Sequence, residues 1–531
     1  MEPRPSPRAA LAAGCPAFNS VLVFGAGFLF AVLLLSSLGP SAHSWLSSSG
    51  RSALEFEGPE QASALLLNAG VSGSLWAATV TRRWEGARVY AGLRDRSAPP
   101  AATEAAAAAW FTPPTRRAAR LLPGGAGCES DSWVVITSIF SPSRLMSQLE
   151  QQPEFCTVVV ADRKTPVAAW AAVTASGRVR LLTVEAQLAL GYRITPLLAF
   201  NHFSRKNIGY IYAVRAGAKV VYDTDDDNIL KDAPDGGVSP IPVLDARSTG
   251  HRVRQARHCN HSDATTRSWN PYPAFGPAAL ASWPRGLPLD DITWTTAPPC
   301  VGTGEGGSAY TLDAAEVRLP GVSFAVQQSL ADVHPDIDAI HRLTRAPLTF
   351  SFAAPAAEAS TTFSGLLGAG GATFAPYNAQ ATLHTEAALW GMLLPVSVHG
   401  RVSDILRSYI AQTLMRQYGL AVVFTRPIVN QERSPHNFLK DFQSELPLYL
   451  RASGLVDFLR RWEPSQPHLT LPAQYEELLI ELYERGVVEE LDVKLAQAWL
   501  RDLDDAGYAF PTRASHGLAA AWRDAEHKRA L

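Results

Sequence analysis

The run Val220-Val221-Tyr222 leads directly into Asp223-Thr224-Asp225-Asp226-Asp227-Asn228, which places four carboxylates within five residues. An apolar, β-branched run of this kind suits a strand buried on both faces of a parallel sheet. The carboxylates repel one another unless a cation sits among them, so such a strand has to deliver them to a sheet edge. Two earlier runs have the same character, Trp133-Val134-Val135-Ile136-Thr137-Ser138-Ile139 and Cys156-Thr157-Val158-Val159-Val160-Ala161-Asp162. The short polar segment from Ser143 to Gln151 suits a crossover helix between them, and a helix-like stretch from about Lys206 to Ala216 precedes the acidic run. This βαβ order predicts an α/β fold with a mainly parallel central sheet and ligands gathered at its carboxyl edge.

Around this frame the sequence is less regular. Residues 231–267 and the Gly-rich Val301 to Gly307 read as loop insertions, the second preceding a further strand candidate, and an Ala/Gly tract covers 353–371. From Val402 onward the pattern becomes helical, with amphipathic stretches from Tyr475 to Arg485 and from Leu491 to Leu503. A length of 531 residues allows two or three compact units. A net charge of -2 gives no basic excess that would draw the chain onto nucleic acid.

Between Arg8 and Arg51 there is no Asp, Glu, Lys or Arg, and Val21 to Leu38 is almost wholly apolar. That length is near the lower limit for a helix crossing a bilayer. A cleaved signal peptide is the competing reading, but its apolar region is usually shorter. Arg4 and Arg8 precede the run and Glu55, Glu57 and Glu60 follow it, which keeps the amino terminus in the cytoplasm and the remainder in a secretory lumen. Of the five cysteines, Cys128, Cys156, Cys259 and Cys300 lie beyond this anchor. They permit three pairings, or free buried thiols, and the sequence does not choose. No CxxC, HxH or HxxxH spacing suggests zinc.

A hard divalent cation, Mg²⁺ or Mn²⁺, answers the charge repulsion in the acidic run, because such ions take one or two carboxylates and complete their shell with phosphate and water. Two Asp-x-Asp frames overlap, Asp223/Asp225 and Asp225/Asp227. The metal residues expected are Asp225, Asp226 and Asp227, with Asp223 nearer a ribose. An EF-hand loop is excluded, since its Gly at the sixth position and Glu at the twelfth are missing. Arg205, Lys206 and Asn207 sit at a helix start and suit a diphosphate, and Asp162, at the end of the second strand, suits a nucleoside hydroxyl. For a catalytic base the choice is Asp404, at a helix start, over Asp336 and Asp338, which suit helix capping. Trp283 and Tyr272 suit either sugar stacking or loop anchoring. No P-loop with its Lys is present.

Several ordered motifs resemble the STELLO glycosyltransferase-like proteins of the plant Golgi and their eukaryotic relatives. They are Trp133 to Ser138, Arg205 to Tyr210, Tyr222 to Asn228, Asn270 to Gly276, Trp283 to Leu289, Pro335 to Ile340 and Pro376 to Thr382. The resemblance covers about residues 130 to 430 and leaves out most of the carboxy-terminal region. It implies a GT-A-like nucleotide-sugar-binding domain on a type II Golgi membrane protein, and a link to cellulose synthase assembly in plants. The expected division is a cytoplasmic tail (1–18), a transmembrane anchor (19–39), a partly disordered stem (40–128), a GT-A-like domain (129–430) and a helical region (431–531). The expected function is metal-dependent sugar transfer, most naturally from a UDP-sugar, to a glycan or glycoprotein acceptor. The alternative is a non-catalytic scaffold or trafficking factor for a polysaccharide synthase. A synthase complex or a second copy of the chain are the macromolecular partners expected.

Overall fold

Each apolar run of the first half forms a strand whose alternate side chains point to opposite faces. In β1 (Ser132–Ser138) and β2 (Phe155–Ala161), Val135, Cys156, Val158 and Val160 enter one apolar cluster, while Val134, Ile136, Phe155 and Val159 enter another. Both faces are covered, as a parallel sheet requires. This computed structural model describes residues 82–91, 128–233, 235–242, 253–255, 268–275, 282–292, 323–352, 362–364, 374–433, 437–466 and 468–512.

β3 (Val179–Leu182) and β4 (Val220–Thr224) complete a parallel set in the order β3-β2-β1-β4. The crossover between β1 and β2 holds α1 (Arg144–Leu149), and the return from β3 holds α2 (Val184–Ala189) and α3 (Lys206–Arg215). The chain therefore steps outward from β1 to β3 and then comes back to β4 on the far side of β1. This reversal opens a crevice beyond the carboxyl ends of β1 and β4, the place where open α/β sheets bind ligands.

The rest of the sheet mixes parallel pairings with antiparallel ones. β5 (Asn228–Leu230), β6 (Val253–Gln255), β7 (Ser323–Asp332), β8 (Thr362–Ser364), β9 (Ala381–Thr385) and β10 (Leu420–Gln431) extend it to the order β3-β2-β1-β4-β9-β7-β10-β8-β6, with β5 also on β10. β7 runs parallel to β10, and β6 to β8. β9 runs antiparallel to both β4 and β7, and β5 and β8 run antiparallel to β10. The sheet is mixed. β10 also interrupts the region read as helical from Val402: it follows α5 (Gly400–Met415), itself preceded in the chain by α4 (Ala339–Thr344). Pro427 within β10 falls where its register with β7 shifts, between Thr425 and Val429. Proline lacks the donor a regular ladder needs, so it settles at such irregularities.

Three helices follow: α6 (Phe438–Arg461), α7 (Leu471–Glu484) and α8 (Glu490–Asp505). Val456, Leu479, Leu482 and Trp499 share one apolar cluster with Val135 and Ile211 of the sheet region. Acidic side chains on α7 and α8 also capture backbone amides from distant loops. Asp502 accepts from the N–H groups of Arg193 and Ile194, both at 3.0 Å. Asp492 accepts from Val396 at 2.6 Å and from Ser397, and Glu476 accepts from Tyr90 at 2.7 Å and from Val89. Residues 82–91, expected to be part of the stem, are thus docked on these helices.

Cys128 and Cys156 form a disulfide, which joins the segment before β1 to the start of β2. Cys15, Cys259 and Cys300 lie outside the described residues. No helix among the described residues is long and apolar enough to cross a membrane, and the predicted span from Val21 to Leu38 lies outside them.

α3 lies close against β1 and β2 at Gly209. A Cβ there would come within 2.6 Å of a Val135 methyl and 2.8 Å of a Val160 methyl. Overpacking of this kind costs about 1–3 kcal/mol. Gly209→Ala should lower the free energy of unfolding by that amount, measured by chemical denaturation of the full chain.

Candidate functional site

Apolar packing brings β4 out of the core at Tyr222, and its last two residues, Asp223 and Thr224, are still fully buried. A buried carboxylate needs cations, and Asp223 has two. Lys206 Nζ, from the first turn of α3, lies 2.7 Å from one oxygen, and Arg407 Nη1, from α5, lies 2.9 Å from the other. All three side chains are sealed from solvent. Burial alone would raise the Asp223 carboxyl, but Lys206 and Arg407 outweigh it and hold it below the ordinary carboxylate range.

Beyond Asp223 the cluster opens. Asp225 retains 32% of its side-chain exposure and lies 2.9 Å from Lys206 Nζ. Burial, reinforced by Asp227 and Asp223 and opposed by Lys206, pushes its carboxyl up to about 7. The Ser138 hydroxyl, at the end of β1, donates to Asp226, whose carboxyl is raised by burial. Asp227 accepts from Asn228 Nδ2 at 3.1 Å and from Gln431 Nε2, at the end of β10, at 3.3 Å. Burial and then Asp226 push Asp227 up to about 6. Asp225, Asp226 and Asp227 are therefore the carboxylates open to a ligand, and they sit over the crevice between β1 and β4. Among the described residues no group of three His, Cys, Asp or Glu is drawn together into a ready-made metal cage.

This geometry separates the two overlapping frames. Asp223 is sealed from solvent between two buried cations, while Asp225 and Asp227 remain accessible. It also divides the three polar residues at the start of α3. Lys206 serves the cluster, with further bonds to the carbonyls of Thr224 and Ala379. Arg205 does not reach it: the guanidinium is fully buried, donates to Gln187 Oε1 and the Leu198 carbonyl, stacks 4.4 Å from the Phe200 ring centre, and lies 3.9 Å from Asp162. Asn207 does not reach it either, since its amide exchanges two hydrogen bonds with the Leu394 backbone. Asp162 shapes the turn after β2, accepting from the Arg163 N–H at 2.7 Å.

Asp404 is buried in α5, with both oxygens held by Arg285 at 3.1 and 3.0 Å and one also accepting from the Ala379 N–H. The same guanidinium grips Asp336 at 2.8 and 3.0 Å. Asp338 caps α4, accepting from the His341 N–H at 2.8 Å and from Trp283 Nε1 at 2.6 Å. Trp283 and Tyr272 are both buried, and the Tyr272 hydroxyl donates to the Asp336 carbonyl, which makes them loop anchors here. His384, in β9 beneath the cluster, is held neutral, its pKa pushed down to about 3 by burial and Arg407. Sequence reasoning missed the pairing of Arg407 with Asp223, of Arg285 with Asp404, and the contacts of Ser138 and Gln431. Each joins segments far apart in the chain, and no local spacing announces them.

A model of the STELLO glycosyltransferases matches residues 401–527, a stretch that begins on α5 and includes β10 and the final helices. The motif resemblance over 130 to 430 had left most of that region out. The chain is 29% identical over 386 residues to "Probable glycosyltransferase STELLO1" of Arabidopsis thaliana, covering 73% of this chain and 46% of that protein. It is also 29% identical over 390 residues to "Probable glycosyltransferase STELLO2" of the same plant, with the same shares. Over most of its length the chain is similar to the STELLO-type proteins. It spans about half the length of these curated relatives. The segment that matches the family supplies Arg407, which bonds Asp223, and Gln431, which bonds Asp227, so it contributes to one side of the acidic cluster.

Removing one partner of a buried, hydrogen-bonded ion pair costs about 3–5 kcal/mol because the remaining charge is stranded. Asp223→Ala should lose at least that much stability. Asp227→Asn, which removes a carboxylate whose ionisation folding disfavours, should melt within about 0.5 kcal/mol of the parent or above it. Thermal unfolding of the two variants at neutral pH makes the comparison.

Proposed function

We propose that the chain is a metal-dependent glycosyltransferase with a GT-A-like nucleotide-sugar-binding fold, acting from the lumenal side of the Golgi membrane. The carrying observation is the trio Asp225, Asp226 and Asp227, held partly open at the reversal point of the parallel strands. Their hard oxygens, with negative charge in excess of the single lysine among them, fit Mn²⁺ or Mg²⁺, which takes few carboxylates and completes its shell with phosphate and water. When bound, such an ion neutralises the leaving diphosphate of a UDP-sugar as a Lewis acid. Lys206 holds Asp225 in place from below, Ser138 orients Asp226 through its hydroxyl, and Gln431 fixes one oxygen of Asp227. Asp404, with both oxygens bonded to Arg285, enters the reading as a support for the loop at 378–380 and not as the proton acceptor. The Cys128–Cys156 disulfide fits an oxidising compartment, in keeping with a lumenal domain behind an amino-terminal anchor and a glycan or glycoprotein acceptor.

A second reading, a scaffold or trafficking factor for a polysaccharide synthase, draws on α6. Leu439, Leu446 and Leu450 share one face of that helix and are 65%, 37% and 63% exposed. Apolar side chains repeated on an open helix face suit a protein partner.

The enzyme reading predicts that the full chain binds UDP in the presence of Mn²⁺, that chelation abolishes this binding, and that Asp225→Ala and Asp227→Ala each weaken it more than tenfold without lowering the melting temperature. Calorimetric titration reads the affinity. Unchanged binding in both variants sinks the metal assignment. In cells, full rescue by those variants together with failure of Leu446→Asp/Leu450→Asp favours the scaffold.

A further inference from the structure

The residues expected to meet a diphosphate are spent on internal contacts: Arg205 on Gln187, Leu198 and Phe200, Asn207 on Leu394, and Lys206 on Asp223, Asp225 and two carbonyls. Arg407 is sealed beneath Asp223. A phosphoryl group arriving over Asp225 and Asp227 would need another cation at the rim. The segment leaving β10 supplies one. Gln431 donates to the Asp227 carboxylate and the Glu432 N–H donates to the Asp227 carbonyl at 2.9 Å, so the backbone leading into Arg433 is anchored at the cluster. Its charge is felt at Asp227, where it opposes the upward pull of burial.

Arg433 has no close carboxylate partner among the described residues: Asp441 and Asp336 act on it from a distance. Its side chain is only 11% exposed, and its ion-pair contact is with Asp441 at 4.0 Å, a carboxylate that Arg401 approaches more closely, at 3.6 Å. Arg401 is in addition paired with Glu445. Arg342 donates to the carbonyls of Pro335 and Leu348. Burial, with Arg401 and Arg342 as like-charged neighbours, outweighs the opposing pull of Asp336 and Asp441 and pushes the Arg433 guanidinium down to about 10. A mostly buried guanidinium among other guanidiniums and beside a strand end is stabilised by an anion that supplies paired oxygens, and phosphate does so with bidentate geometry.

We infer that Arg433 is a binding residue for a phosphoryl group seated over Asp225 and Asp227, and that it fills the role for which the start of α3 is not available. The inference rests on the nucleotide-sugar reading above and names the side chain that would hold the donor's diphosphate. In that arrangement the phosphate is met by a residue that follows β10, over a cluster that Ser138 of β1 helps to hold, so both halves of the sheet contribute. Arg433→Lys keeps the charge but loses the fork of donors, and is expected to rescue binding only in part.

The test is titration of the full chain and of Arg433→Gln and Arg433→Lys with UDP, with inorganic pyrophosphate and with uridine, all in Mn²⁺. Expected is a loss of about tenfold or more in affinity for UDP and pyrophosphate in Arg433→Gln, in line with the strength of charge-assisted hydrogen bonds, an intermediate loss in Arg433→Lys, and no change for uridine or for the melting temperature without ligand. Equal affinity of the parent chain and Arg433→Gln for both anions overturns the assignment, as does failure of the parent chain to bind either anion. Pyrophosphate binding that depends on Arg433 without any UDP binding keeps Arg433 as an anion site and defeats the nucleotide-sugar reading. UDP binding unaffected by Arg433→Gln does the reverse.

Discussion

The contact on which the rest depends is the buried triad of Lys206, Asp223 and Arg407. A carboxylate at the end of β4 is clamped between a cation from α3, packed on β1 and β2, and a cation from α5, which precedes β10 in the chain. Low surrounding polarity strengthens both attractions and makes any missing member costly. The same two cations reach the loop at 378–380: Lys206 bonds the Ala379 carbonyl and Arg407 bonds the Asn378 carbonyl. Asp404 takes the Ala379 N–H from the other side while held by Arg285. One short loop is thus where the acidic cluster, β9 and the Arg285–Asp336–Asp404 group are tied together.

How much of this was legible in the sequence depended on the range of the interaction. β1, β2, β4, α1 and α3 follow from local runs and their spacing, and each was expected within a few residues of where it lies. β10 was not, because Pro427 breaks the strand signal in the middle and because helices flank it on both sides. β9 was hidden in a segment read as a motif and not as a strand, and its antiparallel insertion between β4 and β7 makes the sheet mixed. At the site the acidic run announced itself, but its internal division did not. Nothing local to Asp223 says that Arg407 will neutralise it from a distance in sequence. Arg205 and Lys206 are adjacent and chemically alike, yet the helix turns one toward Gln187 and the other toward the cluster.

The division has a functional meaning. Asp223 and Lys206 form a fixed floor, and the three carboxylates after it form the part that a ligand can meet. The similarity to STELLO glycosyltransferases extends over 73% of the chain. The proposed metal and diphosphate sites use residues from both halves of the sheet, so the reading requires the family-model segment as much as the acidic run.

The amide-capturing acids of the last two helices carry a temporal consequence. Loops at 89–90, 193–194 and 396–397 are each pinned by a carboxylate made long after them: Glu476, Asp502 and Asp492. On a ribosome, each of these loops emerges before the carboxylate that holds its amides. Only when α8 has cleared the exit tunnel are the last of them sealed. The native hydrogen bonding of all three loops is therefore complete only once both of the last two helices have been made.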